Sequence, residues 1–291
     1  MIEAISLETA HLLGDALPSA YRLRHRIFIE QERYQVPNWH GMEWDQFDTP
    51  AAVYLLWRDE DGRVRVIARL IPTSLPYMIQ QLWPELVTGG EMPCGDDVWE
   101  VTRLGIDSDL AREQRERAFG EMFCALAEFG LRRRIREYMF VTSTLVIEIA
   151  VGRAGVPWEA LGEPKRLGTM RVVAARSAVT EEALRRLRAH YRIDGPVLRV
   201  AGEDEPHDAK LRHAARTQPG TVGADAPAFP LGDAAQKLQV SCTERVSTSF
   251  WLDPLKLPRR ALPGPFSSSS MGALSMNQCA YPMAIPSWAV A

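Results

Sequence analysis

Apolar residues recur along the first two thirds of the chain with two alternating periods. Residues 18–30 carry Ala20, Leu23 and Ile27 on one helical stripe, with Arg24 and Phe28 four apart on the adjacent face. Residues 51–58 and 64–71 have strand composition, and Asp59-Glu60-Asp61-Gly62-Arg63 between them suits a hairpin turn. A third strand is predicted over 98–106, followed by Asp107-Ser108-Asp109, residue types that cap helices. Phe119, Met122, Phe123, Leu126 and Phe129 then keep helical spacing over 112–129, with Gly130 as a natural terminator. Beyond a basic stretch the pattern gives a strand over 138–142, a helix over 145–153, a strand over 169–174 and a helix after Thr180. This alternation predicts an α/β fold, a three-layer α-β-α sandwich around a mixed central sheet.

From about residue 201 the periodicity stops. The stretch to Ala291 is rich in Pro, Ser, Gly and Ala, with serine at each position from 267 to 270, and reads as a disordered extension. The expected organisation is a catalytic domain over 1–200 and an extension over 201–291. A net charge of -3 and the lack of a helix-turn-helix or finger signature give no reason to expect nucleic acid. No apolar run approaches a membrane span, and the N-terminus lacks a basic-then-apolar signal layout, so a cytoplasmic protein is expected. Cys94, Cys124, Cys242 and Cys279 are scattered, without a CxxC pair or metal-type spacing to histidine; free thiols and no metal are expected.

The densest polar patch holds Glu43, Asp45 and Asp48, with Trp44 and Phe47 among them. Carboxylates neutralise an ammonium and ring faces attract a cationic centre, so the patch suits a small cationic ligand. Read alone, the patch describes a solvated acidic loop better than a binding site. Arg24, Arg69 and Arg103 add a second argument, since each is set among apolar residues and a half-buried charge needs a partner. Asp45, Asp48 and Glu100 supply matching charges, as structural ion pairs or as a network that also orients a substrate. Glu100 and Arg103 lie three apart in one strand, so simple alternation sends them to opposite faces. Only a β-bulge between them brings both to one site.

Four segments in order then resemble a known family: Tyr21-Arg22-Leu23-Arg24-His25-Arg26-Ile27-Phe28, Gly41-Met42-Glu43-Trp44-Asp45-Gln46-Phe47-Asp48, Arg69-Leu70-Ile71-Pro72-Thr73 and Trp99-Glu100-Val101-Thr102-Arg103. They are similar to the acyl-homoserine lactone synthases, or autoinducer synthases. Pro76-Tyr77-Met78, Trp83-Pro84-Glu85-Leu86 and Arg153-Ala154-Gly155 support the match, which covers roughly residues 1–180. The resemblance implies an acetyltransferase-like (GNAT-like) fold whose bulged central strand opens a V-shaped cleft. It also implies that Arg24, Phe28, Asp45, Asp48, Arg69, Glu100 and Arg103 occupy the family's characteristic positions. Tyr34 stands where the family usually has tryptophan, Val66 where it has glycine and Trp83 where it has phenylalanine, changes that touch pocket lining more than the charged set.

The implied reaction is acyl transfer from a thioester to the amine of S-adenosylmethionine, then lactone closure with loss of methylthioadenosine. Adenosylmethionine is a substrate, the acyl carrier is acyl carrier protein or coenzyme A, and no bound cofactor is required. Glu100 is the expected base, ahead of Asp45 and Asp48. Backbone N–H groups around Val101, Thr102 and Arg103 are the expected oxyanion donors. Arg24 or Arg103 positions the substrate carboxylate, Asp45 and Asp48 take the ammonium, and Phe28 and Tyr34 wall the adenosyl group. Thr142 and Ser143 follow the strand where relatives line an acyl tunnel. Arg132, Arg133, Arg134 and Arg136 form a docking site for an acidic acyl carrier protein or for the phosphates of coenzyme A, or else a solvated basic turn. Two other readings stand beside this one: an N-acyltransferase of the same fold for another amine, and a non-catalytic sensor of adenosylmethionine or acyl thioesters.

Overall fold

Strand alternation fixes which side of the central sheet each core residue serves. In a computed structural model, residues 1–167 and 170–204 are described; of the extension expected over 201–291, residues 201–204 are among them and the rest lies outside the described residues. In chain order the elements are β1 (Ile2–Ser6), α1 (Ala16–Arg24), a hairpin of β2 (Asn38–Trp39) and β3 (Met42–Glu43), β4 (Val53–Arg58) and β5 (Val64–Pro72). Then follow α2 (Met78–Leu82), β6 (Val98–Ile106), α3 (Arg112–Arg133), β7 (Glu137–Thr142) and α4 (Thr144–Ile147). The described part ends with β8 (Glu159–Ala160), β9 (Lys165–Leu167), β10 (Met170–Ala178), α5 (Glu181–Tyr191) and β11 (Leu198–Val200).

The main sheet runs β11-β1-β4-β5-β6-β7-β10-β8, with β9 paired to β10. It is mixed: β1–β11 and β6–β7 are parallel, the other pairs antiparallel. On β5, Val66, Ala68 and Leu70 join the core beneath α3 and α5, whereas Ile67 packs toward α1 and Ile71 toward α2. A strand buried on both faces reads as a continuous apolar run, which is how 64–71 reads, Arg65 and Arg69 apart. The predicted three-layer α/β sandwich is the observed architecture.

Several local expectations change. The first helix does not stay α-helical to residue 30: after Arg24 it widens into a π-helical stretch, His25–Gln31, a form found at functional sites. Gly130 does not end α3, which continues to Arg133 and stops at Arg134 in the left-handed conformation, φ +58°. The glycine is there for close approach, since a Cβ on it would lie 2.7 Å from Val179 Cγ1. Asp107 does not cap α3; it is buried and pairs with Arg26 and Arg65. Cys124 is a buried free thiol, as expected, but Cys94 is disulfide-bonded, which its sequence spacing does not reveal. Cys242 and Cys279 lie outside the described residues. Among the described residues no helix is long and apolar enough to cross a membrane.

Candidate functional site

The register of β5 against β6 sets the site. Ile67 pairs with Gly105 and Arg69 with Thr102, so two steps on β5 span three on β6. The extra residue is a β-bulge at Arg103, whose φ of +51° is uncommon for a side-chain-bearing residue. The bulge turns Arg103 to the same face as Glu100, as the three-residue spacing required. On its other edge β6 pairs with β7 only at Val98–Glu137, Trp99–Tyr138 and Glu100–Met139. Past Glu100 the two strands part, and the cleft opens between them.

Three arginines converge on the α1 and α2 face. Arg24, closing α1, donates from Nε to Glu43 Oε2 at 2.5 Å and forks onto Asp48 at 2.7 and 3.0 Å. Arg69 forks onto Asp45 at 2.6 and 3.1 Å, reaches Asp48 at 2.9 Å and sends Nε to Thr102 Oγ1 at 3.0 Å. Arg103 spans Glu43 at 3.2 Å and Asp45 at 2.6 Å. The Tyr54 hydroxyl donates to Asp48 at 2.8 Å. Arg24, Glu43 and Arg69 are wholly buried; Arg103 and Asp45 form the slightly exposed edge.

The charges of this cluster cancel internally. Burial alone would raise the Asp48 carboxyl, but Arg69 and Arg24 outweigh it and hold the group well below the usual carboxylate range. Arg24 is pushed the other way: burial opposes its charge, and Glu43 and Asp48 more than offset that. The third anion is therefore Glu43 rather than Glu100, and Asp45 and Asp48 are already saturated by guanidinium groups.

Glu100 has a different environment. Its two oxygens accept from the backbone N–H groups of Met78 and Ile79, both at 2.8 Å, where α2 begins. Burial pushes its carboxyl up to about 7, only partly offset by those two N–H donors and by Arg69 and Arg103. A carboxyl in that range exchanges a proton near neutral pH.

Aromatic rings connect this cluster to an apolar cavity. Phe28 and Tyr34 stack at 5.7 Å with 22° between planes, and the Arg103 guanidinium lies 5.4 Å from the Phe28 ring centre. These three residues border a cavity of 190 Å³ that runs behind the β6–β7 cleft toward α3, α4 and α5. Val101, Thr102 and Thr142 also line it. Trp83 and Ser143 do not. Trp83 packs with Ile71, Met78 and Val98 under α2, and Ser143 caps α4 by accepting from Val146 N at 3.3 Å. Sequence position near the cleft did not translate into a side chain facing it.

The basic stretch over the last turn of α3 and just beyond it is largely neutralised. Arg132 and Arg133 pair with Glu203 and Asp204, and Arg136 with Asp97 and Glu137. Glu43 is the charged residue the sequence-based set omitted. Its signal was its place in the acidic patch and its position on the two-residue strand leading to Asp45.

Comparison with known proteins agrees with this geometry. A family model described as autoinducer synthase matches residues 11–187. The acyl-homoserine-lactone synthase of Aeromonas salmonicida is 34% identical over 171 residues, covering 57% of this chain and 81% of the relative. That of Pseudomonas aeruginosa is 31% identical over 182 residues, covering 60% and 87%. Among solved structures, the coenzyme A-dependent acyl-homoserine lactone synthase BjaI, with SAM and isopentyl-CoA, superposes with a TM-score of 0.63 at 27% identity, covering 74% of this chain and 99% of that one.

Proposed function

The chain belongs to the autoinducer synthase family, and we propose that it makes an acyl-homoserine lactone from S-adenosylmethionine and an acyl thioester. The observation that carries the reading is the bulge at Arg103. It sets one guanidinium at the meeting point of a closed ionic cluster, an aromatic pair and an apolar cavity. The carrier is acyl carrier protein or coenzyme A; both present the acyl group as a thioester. Residues 1–200 form the catalytic unit on this reading, because every residue given a role lies within them. A cytoplasmic place of action suits substrates supplied by intracellular metabolism.

Acyl transfer requires the substrate ammonium to lose a proton before its nitrogen attacks the thioester carbonyl. Glu100, poised near neutral pH, takes that proton through a water, since its own oxygens are buried. The carbonyl oxygen gains charge as the N–C bond forms. Backbone N–H groups of β6 beyond Glu100, where β7 no longer pairs, are the donors placed to meet it. The C–S bond then breaks and the carrier leaves as a thiol.

Lactone closure is an intramolecular displacement. The substrate carboxylate attacks its own γ-carbon, the C–S⁺ bond breaks, and methylthioadenosine departs. The sulfonium is already a good leaving group, so the protein chiefly holds the curled conformer. Arg103, at the exposed edge of the cluster, positions the carboxylate, and Phe28 with Tyr34 walls the adenosyl group. Arg24, Glu43, Asp45, Asp48 and Arg69 act through Arg103 as its frame, not as direct ligands of the ammonium.

The test is incubation of purified protein with adenosylmethionine and a panel of acyl thioesters, followed by mass spectrometry. Methylthioadenosine and an acyl-homoserine lactone together are the expected products. Acylated amine without methylthioadenosine would support an N-acyltransferase for another amine. Ligand binding with no product would support a sensor.

A further inference from the structure

We infer that the acyl group transferred by this chain is a chain of about eight to ten carbons. The inference rests on the acyl-transfer reading above and adds to it the class of acyl substrate.

One wall of the cavity is made of rungs of β7 and β10. Thr142 stands opposite Val173, Phe140 opposite Ala175 and Tyr138 opposite Ser177. Thr142, Phe140, Tyr138 and Ser177 all line the cavity, so it follows the strands from the first rung to the last. From Thr142 to Tyr138 that path is about 13 Å at the usual rise per strand residue. A saturated chain with bonds of about 1.5 Å at tetrahedral angles advances about 1.25 Å per carbon, so the path takes about ten carbons.

The volume gives a separate figure. An apolar protein cavity of about 150 Å³ holds one benzene, six carbons. The 190 Å³ here scales to about eight carbons.

The lining chemistry agrees. Arg103 at the mouth is the single charged residue among those bordering the cavity, so a charged tail has no partner inside. Ala183 and Leu187, one turn apart on α5, close the deep end together with Val179. The predicted substrate thus differs from the isopentyl-CoA bound by BjaI.

The experiment uses the full-length protein, adenosylmethionine and a series of straight-chain acyl thioesters from butanoyl to tetradecanoyl, with isovaleryl included. Each is offered on coenzyme A and on acyl carrier protein, and methylthioadenosine release is read. We expect kcat/KM to rise about fourfold per methylene, the yield of one buried CH2, and to peak at about eight to ten carbons. Isovaleryl should fall at least about tenfold below octanoyl. A peak at hexanoyl or shorter, at isovaleryl, or at dodecanoyl or longer overturns the inference and leaves the reaction standing. No methylthioadenosine with any donor on either carrier overturns the reaction itself. Ala183→Leu should shorten the preferred chain by about three carbons, the size difference between the two side chains, and Leu187→Ala should lengthen it. A length profile unmoved by both, in folded proteins with unchanged KM for adenosylmethionine, removes the deep end from α5 and the inference with it. Should Ala183→Leu fail to fold, Leu187→Ala decides alone.

Discussion

β6 serves two regions built on opposite rules. Toward α1 and α2, Glu100 and Arg103 belong to a buried polar zone in which every charge of the cluster has a short-range partner. Toward α3 and α5, Val101 and Leu104 border an apolar space held by shape. The first region depends on distances of 2.5 to 3.2 Å and on charge balance. The second depends on volume, which tolerates small changes and converts them into a different preference. Substitutions on the polar side should therefore abolish folding or turnover, while those on the apolar side should mainly change which substrate is used.

Removing one member of the cluster is the most severe test of that contrast. Arg24→Ala leaves Glu43 and Asp48 buried beside a missing cation, and breaking such a pair costs about 3–5 kcal/mol. A large fall in the denaturant midpoint and loss of turnover are expected. A loss below about 1 kcal/mol, the range of exposed pairs, would mean that the cluster is wetter than it looks, and the contrast would fail.

Glu100 comes next, and here stability and activity move in opposite directions with pH. Its carboxyl titrates at about 7 when folded and at 4.5 when unperturbed. Between these values the folded protein keeps a proton that the unfolded chain has released. The stability this group contributes is thus full below pH 4.5 and lost as pH rises through 7. Proton acceptance needs the carboxylate, so kcat/KM should rise through the same interval. Glu100→Gln should lower kcat/KM by about 10²–10⁴-fold, erase the limb near neutral pH and flatten the stability profile there. A limb that survives in the variant would assign the base elsewhere.

Arg103→Lys sharpens the comparison at the seam between the regions. A lysine keeps the charge but cannot span Glu43 and Asp45 with one rigid fork. The expected outcome is a loss on the order of 10²-fold in kcat, the scale of a 1 Å misplacement, with a smaller stability loss than Arg24→Ala. A variant that kept kcat and only raised KM would make Arg103 a simple charge attractor.

The polar region was more legible in the sequence than the apolar one, for physical reasons. Arginines inside apolar strands announce buried partners, and the three-residue spacing of Glu100 and Arg103 demanded the bulge now seen at Arg103. Counting charges could not decide which acid pairs with which arginine. Glu43 and Glu100 were interchangeable in that count until α2 supplied two N–H donors to Glu100. The cavity was harder to read because space has no residue of its own. Thr142 faces it but Ser143 turns away to cap α4, and Trp83 supports α2 instead of the cleft. Gly130 likewise reads as a helix stop by type, whereas its packing against Val179 is a tertiary fact.

The smallest effect should come from outside both regions, in the basic last turn of α3. Arg132 and Arg133 are exposed and already held by Glu203 and Asp204. Exposed pairs of this kind are worth about 0–1 kcal/mol, so replacing both arginines with alanine should change stability within that range. The paired state also bears on docking, because an arginine engaged by a neighbouring carboxylate projects little field toward an approaching acidic surface. KM for acyl carrier protein should change by less than about twofold, at low salt as well as high, whereas a docking surface would lose affinity most where screening is weakest. A large, salt-sensitive rise in KM for the carrier protein but not for coenzyme A would show that the pairs open on encounter, and would add a third functional region to the two that β6 divides.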